Sequence, residues 1–257
     1  MSYQLPNYIV NATINNSTLD YSWDDSDIDQ HWDYDYAKPI IKRMECCTLR
    51  AKIALSIGIY EWILGRFYQL HDHSIYYQIA EAAWCANVDK RYLHYIELDD
   101  QKYEGKVDYA LWLAYAALFP VLLVSQNISN PNNEDDYVDP LFMYDKNEWA
   151  SCLTTQLALL KHVLSKEKLV LLENWLNQVV ERLTTFYIEP EENPFANLFG
   201  QQESKDWLGD YVAREALDPA YNYQPDQAVI LLNKFLSQVD KKNPVLTSLT
   251  ELINVNS

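Results

Sequence analysis

Between Pro39 and Leu70 apolar side chains recur so densely that they cover nearly the whole circumference of a helix, from Ile40, Ile41 and Met44 through Ile53, Leu55, Ile57 and Ile59 to Trp62, Leu64 and Phe67. A helix with no polar face has nothing to offer water, so the pattern predicts a central, buried element over 39–70. Gly58 and Gly65 lie seven residues apart and share one face of it. Each costs about 1 kcal/mol relative to alanine in a helix interior, and close approach of a neighbouring helix is the simplest compensation. Further helices are predicted over 74–87, over 90–98 and over 107–126, the last kinked at Pro120, which lacks a backbone donor. Trp149, Leu153, Leu157, Leu160 and Leu164 recur at helical spacing, and Leu169, Leu172, Leu176, Val179 and Leu183 do so again after a break at Ser165, predicting an antiparallel helix pair. The run Glu189-Pro190-Glu191-Glu192-Asn193-Pro194 ends it, because each proline disfavours helix in the residue before it. Helices over 206–217, from Pro225 to 239 and over 245–253 complete the chain. No repeat of fixed period occurs, which argues against a helical solenoid.

Polar stretches divide this pattern. Residues 1–37 contain no Lys or Arg but seven aspartates (Asp20, Asp24, Asp25, Asp27, Asp29, Asp33 and Asp35), interleaved with Tyr21, Trp23, Trp32, Tyr34 and Tyr36. Residues 127–146 form a long polar loop containing Asn130-Pro131-Asn132-Asn133-Glu134-Asp135-Asp136 and Asp139-Pro140. The expected organisation is an acidic aromatic arm over 1–37 followed by a single helical domain over 38–257, with the 127–146 loop between two helical halves. The fold class is all-α, an irregular multi-helix bundle with an acidic N-terminal arm.

Composition sharpens the functional side. A chain of 257 residues with 49% hydrophobic residues has enough apolar surface for a packed core, which excludes bulk disorder. The 37 Asp and Glu against 20 Lys and Arg leave a net charge of −17. Such a field repels nucleic acid and anionic lipid and attracts cationic surfaces, although an acidic surface also serves solubility alone. The expected partner is therefore a basic protein, with no nucleic acid and no membrane. Five glycines cannot assemble a phosphate-cradling loop, a dinucleotide turn or a nucleophile elbow, and no cofactor is expected. The start has no basic segment leading into an apolar one, and the uncharged stretch over 110–124 falls short of the roughly 20 residues needed to span a bilayer. Both point to a cytoplasmic chain. Cys46, Cys47, Cys85 and Cys152 show no metal-binding spacing; adjacent Cys46 and Cys47 are expected on different sides of a helix, in a reduced setting.

Three groupings bear on chemistry. Asp135-Asp136-Tyr137-Val138-Asp139 matches the D-D-x-x-D pattern by which all-α prenyl-diphosphate enzymes hold Mg²⁺, yet it sits in an Asn/Pro-rich loop without a second metal motif or nearby basic residues for the diphosphate. His71-Asp72-His73 is similar to the metal-binding dipeptide of all-α phosphohydrolases, whose chemistry also needs a further His and Asp; histidines favoured at a helix C-terminus explain it as well. Together these define an alternative, an all-α metal-dependent hydrolase or prenyl-diphosphate enzyme. Arg50, Glu61, Arg66 and Glu81 stand in apolar runs, where a carboxylate must be paired or protonated. A buried ion-pair network between the first two long helices is the expected reading, a catalytic carboxylate pair the other. No nucleophile and no metal ligand is nominated.

The acidic-aromatic arm has both halves of a docking surface: aromatic rings supply contact area, and carboxylates recruit Lys and Arg and speed encounter. The opposite reading packs Trp32, Tyr34 and Tyr36 onto the helices with the aspartates facing water. Arg50-Ala51-Lys52-Ile53-Ala54-Leu55 leading to Glu61-Trp62, then Ala80-Glu81-Ala82-Ala83-Trp84, with the acidic arm and loop around them, resembles bacterial toxin immunity proteins. The resemblance covers mainly residues 40–95 and is one of helical pattern. It implies a noncatalytic antitoxin that binds a cognate toxin one to one and occludes it, in the setting of type VI secretion. The binding surface expected on this basis comprises Asp24, Asp25, Asp27, Trp32, Asp33, Tyr34, Asp35 and Tyr36 of the arm with Glu134, Asp135, Asp136, Tyr137 and Asp139 of the loop.

Overall fold

The computed structural model describes residues 3–15, 19–22, 30–71, 73–94, 96–98, 105–124, 146–189 and 208–247. Among them the chain is all-α, with eight α-helices and no strand. These are α1 (Asn7–Ala12), α2 (Tyr34–Met44), α3 (Leu49–Arg66), α4 (Ile75–Val88), α5 (Lys106–Val124), α6 (Lys146–Val163), α7 (Lys166–Phe186) and α8 (Ala228–Gln238), with tighter 3₁₀ turns at Lys90–Tyr92, Arg214–Leu217 and Pro225–Gln227. No helix among the described residues is long and apolar enough to cross a membrane. The uncharged stretch over 110–124 is the body of α5, in which Ala110, Leu111, Ala114 and Leu118 are fully buried.

Helix α3 is the axis. Every residue of it except Arg50 is buried, as its all-round apolar pattern requires, and α1, α4, α5, α6 and α7 all pack on it. The two glycines admit those neighbours. A Cβ at Gly65 would lie 2.3 Å from Ile9 Cγ2, and one at Gly58 would lie 2.5 Å from Leu217 Cδ1 and 3.2 Å from the Trp175 ring. The close approach is therefore made by the short α1 near the C-terminal end of α3 and by a 3₁₀ turn with an α7 side chain at its middle. Tyr8, Ile9, Ile14 and Tyr21 of the arm belong to the same apolar core as the helices.

Several elements differ from the sequence expectation for reasons visible in the packing. The single helix over 39–70 is two, α2 and α3, because the turn at 45–48 gives its backbone groups to the segment after α7. There the Thr48 amide donates to the Tyr187 carbonyl at 2.9 Å and the Glu189 amide to the Cys46 carbonyl at 2.8 Å. Cys46 and Cys47 consequently sit in this turn and not on a helix. Helices α6 and α7 do not form the expected pair: α6 packs mainly on α2, α3 and α5, whereas α7 packs on α2, α3 and the Arg214–Leu217 turn. The expected helix over 90–98 is one 3₁₀ turn, and of the one over 206–217 only Arg214–Leu217 is helical among the described residues. Gly209, at φ +69°, lets the chain pass against Thr48 there. Of the helix expected over 245–253, Val245 lies in a turn and Leu246 is bridged to Leu93, while residues 248–253 lie outside the described residues. Ser165, the predicted break, accepts from the Lys168 amide and caps α7.

Candidate functional site

The acidic-aromatic stretch is built around the first turn of α2. Asp33 has non-helical dihedrals and its carboxylate accepts from the Tyr36 amide at 3.0 Å, the arrangement that satisfies an otherwise orphaned helical donor. The same carboxylate pairs with Lys161 of α6. These hydrogen bonds, from Lys161 first and the Tyr36 amide second, hold the Asp33 carboxyl below its ordinary value. Lys161 also lies 5.0 Å from the Tyr36 ring centroid, and the Tyr36 hydroxyl donates to Glu173 of α7 at 3.3 Å. Burial, reinforced by the Glu173 charge, pushes the Tyr36 hydroxyl well up, so it stays a donor. Asp33 and Tyr36 thus fasten the start of α2 to α6 and α7.

A second fastening lies beside the first. The His162 ring of α6 donates from Nε2 to the Ser22 carbonyl at 2.6 Å and lies 3.9 Å from the His31 ring. Both Ser22 and His31, the residues on either side of the arm's aspartate-rich stretch, therefore rest on one imidazole. What this framework leaves facing solvent is Trp32 at 43% exposure, Tyr34 at 46%, and the exposed Asp35. Of the binding surface expected from sequence, these three are displayed, whereas Asp33 and Tyr36 are engaged in holding them. Asp24, Asp25, Asp27, Glu134, Asp135, Asp136, Tyr137 and Asp139 lie outside the described residues.

The buried carboxylates have separate environments and do not form one network. Glu61, fully buried in α3, is 2.8 Å from Arg214 and accepts from Trp84 Nε1 at 3.0 Å and from the hydroxyls of Tyr3 and Tyr8. Burial raises both tyrosine hydroxyls well above their ordinary value, with the Glu61 charge adding to the rise, so they remain protonated donors. Burial alone would lower Arg214; the Glu61 charge works against it, and the guanidinium stays charged. Four donors from three distant parts of the chain converge on one carboxylate and satisfy it out of reach of water. Nothing in the sequence spacing ties Tyr3, Tyr8 and Arg214 to Glu61. Glu81 in α4 instead accepts from the Asp240 amide at 3.2 Å and from Asn243 Nδ2 at 2.9 Å, tying down the segment after α8.

The arginines clip backbone. Arg50 donates to the carbonyls of Asn87, Val88 and Gly209 and stacks 4.4 Å over the Tyr211 ring, and Arg66 donates to the Val163 carbonyl at 2.8 Å. Arg50 and Glu61 thus join α3 to α4 through the Asn87 and Val88 carbonyls and the Trp84 ring nitrogen, while the ion pair of Glu61 is with Arg214, outside both helices. His73 Nε2 lies 3.5 Å from Asp108, and the His71 ring stacks on Tyr77; Asp72 lies outside the described residues. No group of three or more metal-ligating side chains occurs among the described residues. Comparison with family models, with curated proteins and with solved structures gives no match to this chain.

Proposed function

We propose that this chain is a noncatalytic binding protein of the immunity kind, which acts in the cytoplasm and occludes a basic cognate toxin with the surface around Trp32, Tyr34 and Asp35. The observation that carries the reading is the display of two large aromatic side chains, 43% and 46% exposed, on a helix start fixed by Asp33 and Tyr36. Aromatic anchors held in place before encounter lose little freedom on binding and dominate interface energies. The net charge of −17 and the aspartates on both sides of Trp32 favour a partner rich in Lys and Arg. Occlusion is steric and electrostatic: the rings fill contact area on the partner while the carboxylates neutralise its basic cleft. The saturated environments of Glu61 and Glu81 support a role for both carboxylates in holding the fold.

The test is affinity capture from the native lysate with the wild-type chain and with Trp32→Ala/Tyr34→Ala as parallel baits, eluted with rising salt and identified by mass spectrometry. A single basic partner, retained by the wild type and lost by the double variant, is the expected result. A partner held equally by both baits, or none held by either, contradicts the proposal.

A further inference from the structure

The turn joining α2 to α3 places two adjacent thiols in unlike surroundings. Cys46 is exposed and its thiol donates to the Arg43 carbonyl at 3.6 Å, whereas Cys47 is fully buried. Cys85 and Cys152 are buried elsewhere in the core. An accessible thiol beside a sheltered one is the arrangement in which the first sulfur meets an oxidant and the second resolves the product. We propose that Cys46 and Cys47 form a hydroperoxide-responsive vicinal dithiol, oxidised reversibly to a disulfide within the turn.

The steps balance. The Cys46 sulfur attacks the terminal oxygen of a hydroperoxide; the O–O bond breaks, the thiol proton leaves with the departing alkoxide as alcohol, and Cys46 becomes a sulfenic acid. The Cys47 sulfur then attacks the Cys46 sulfur, the S–O bond breaks, and the Cys47 proton leaves with the hydroxide as water. Two thiols are oxidised and one hydroperoxide is reduced. Burial pushes the Cys47 thiol up, with the neighbouring Cys46 sulfur adding to the rise, so Cys47 gives up its proton only in the resolving step, which is the slower of the two.

Consequences for the fold follow from covalent geometry. Successive Cα atoms stand about 3.8 Å apart across a trans peptide, closer than the roughly 4.4–6.8 Å usual for a disulfide. Ring closure therefore strains the Cys46–Cys47 peptide, and strained, accessible disulfides are the readily reduced ones. That peptide carries the Cys46 carbonyl, acceptor for the Glu189 amide at 2.8 Å, and Cys47 is bridged to Ile188. Oxidation loosens the chain after α7 from the turn, beginning at Ile188, which is already 56% exposed.

The full-length protein is treated with tert-butyl hydroperoxide, alkylated without reduction and digested with trypsin. The peptide Met44–Arg50 carries Cys46 and Cys47 and neither of the other two cysteines. The expected product is this peptide unalkylated and lighter by two hydrogens, restored to double alkylation by dithiothreitol, with faster amide exchange at Glu189 in the oxidised protein. Cys47→Ser should halt the reaction at a Cys46 sulfenic acid that dimedone traps, and Cys46→Ser should abolish it. Over-oxidation of Cys46 in the wild type, dimers linked through Cys46, or a peptide that stays fully alkylated overturns the proposal; the wild-type peptide and Cys46→Ser decide the matter even if Cys47→Ser fails to fold.

Discussion

Replacing Glu61 by Gln keeps the shape of the side chain and removes its charge, leaving Arg214 beside a neutral amide and presenting an amide nitrogen to the surrounding donors. Breaking a buried ion pair from one side costs about 3–5 kcal/mol. Arg214 retains 17% exposure and still donates to the Tyr3 hydroxyl and the Gln4 carbonyl, both at 2.9 Å, so the lower end applies and the expected loss is about 3 kcal/mol. For a chain of this size, at about 2–4 °C per kcal/mol, Tm should fall by about 6–12 °C. Arg214→Met exposes the other half of the pair. In the double variant the charges vanish together, and the two single losses should fail to add by about 2 kcal/mol. Urea denaturation of all four proteins, followed by far-ultraviolet circular dichroism, measures both quantities. A Glu61→Gln protein within about 0.5 kcal/mol of wild type, or strict additivity in the cycle, would refute the idea that Glu61 ties the arm and the last third of the chain to α3.

Gly65→Ala sets helix propensity against space: it gains about 1 kcal/mol in α3 but places a methyl 2.3 Å from Ile9 Cγ2, so denaturation should show a net loss of about 1–2 kcal/mol and amide exchange should quicken over residues 8–14. Asn243→Ala removes the amide that donates to Gln78 at 2.8 Å and to Glu81 at 2.9 Å, and should destabilise by about 2 kcal/mol and raise exchange at residues 240–247; unchanged exchange there would count against the tether. Asp33→Asn keeps a good helix cap and loses the Lys161 charge pair, a partly exposed contact expected to contribute about 0.5 kcal/mol at neutral pH. Because the folded Asp33 carboxyl lies below its ordinary value of 3.8, that contribution is complete above this value and is lost as pH falls through the lower folded value. The stability gap between Asp33→Asn and wild type should therefore close on acidification; a gap that widens contradicts the pairing.

The helical class and the position of the central helix were legible because α3 has no polar face and α6 and α7 carry apolar residues at helical spacing. The break between α2 and α3 was not, since no proline or glycine marks residues 45–48 and the interruption comes from backbone pairing with 187–189, which is remote in sequence. Gly209 was a visible signal that the segment over 206–217 would not be one helix, because its positive φ passes the chain across Thr48. At the candidate site, sequence identified the aromatic and acidic residues but not their division of labour. Which of them would face solvent depends on Lys161 and Glu173, more than a hundred residues away. The partners of Glu61 were hidden for the same reason.

The docking surface is tested most sharply by the association rate of the captured partner as a function of ionic strength, for the wild type and for a chain with Asp24, Asp25 and Asp35 reversed to Lys. Asp33 is left intact because it caps α2 and holds Lys161. Fast association that slows steeply with salt is expected for the wild type, and slower association with a flattened salt dependence for the variant, at unchanged thermal stability. Identical rates and identical salt slopes for the two chains would contradict it.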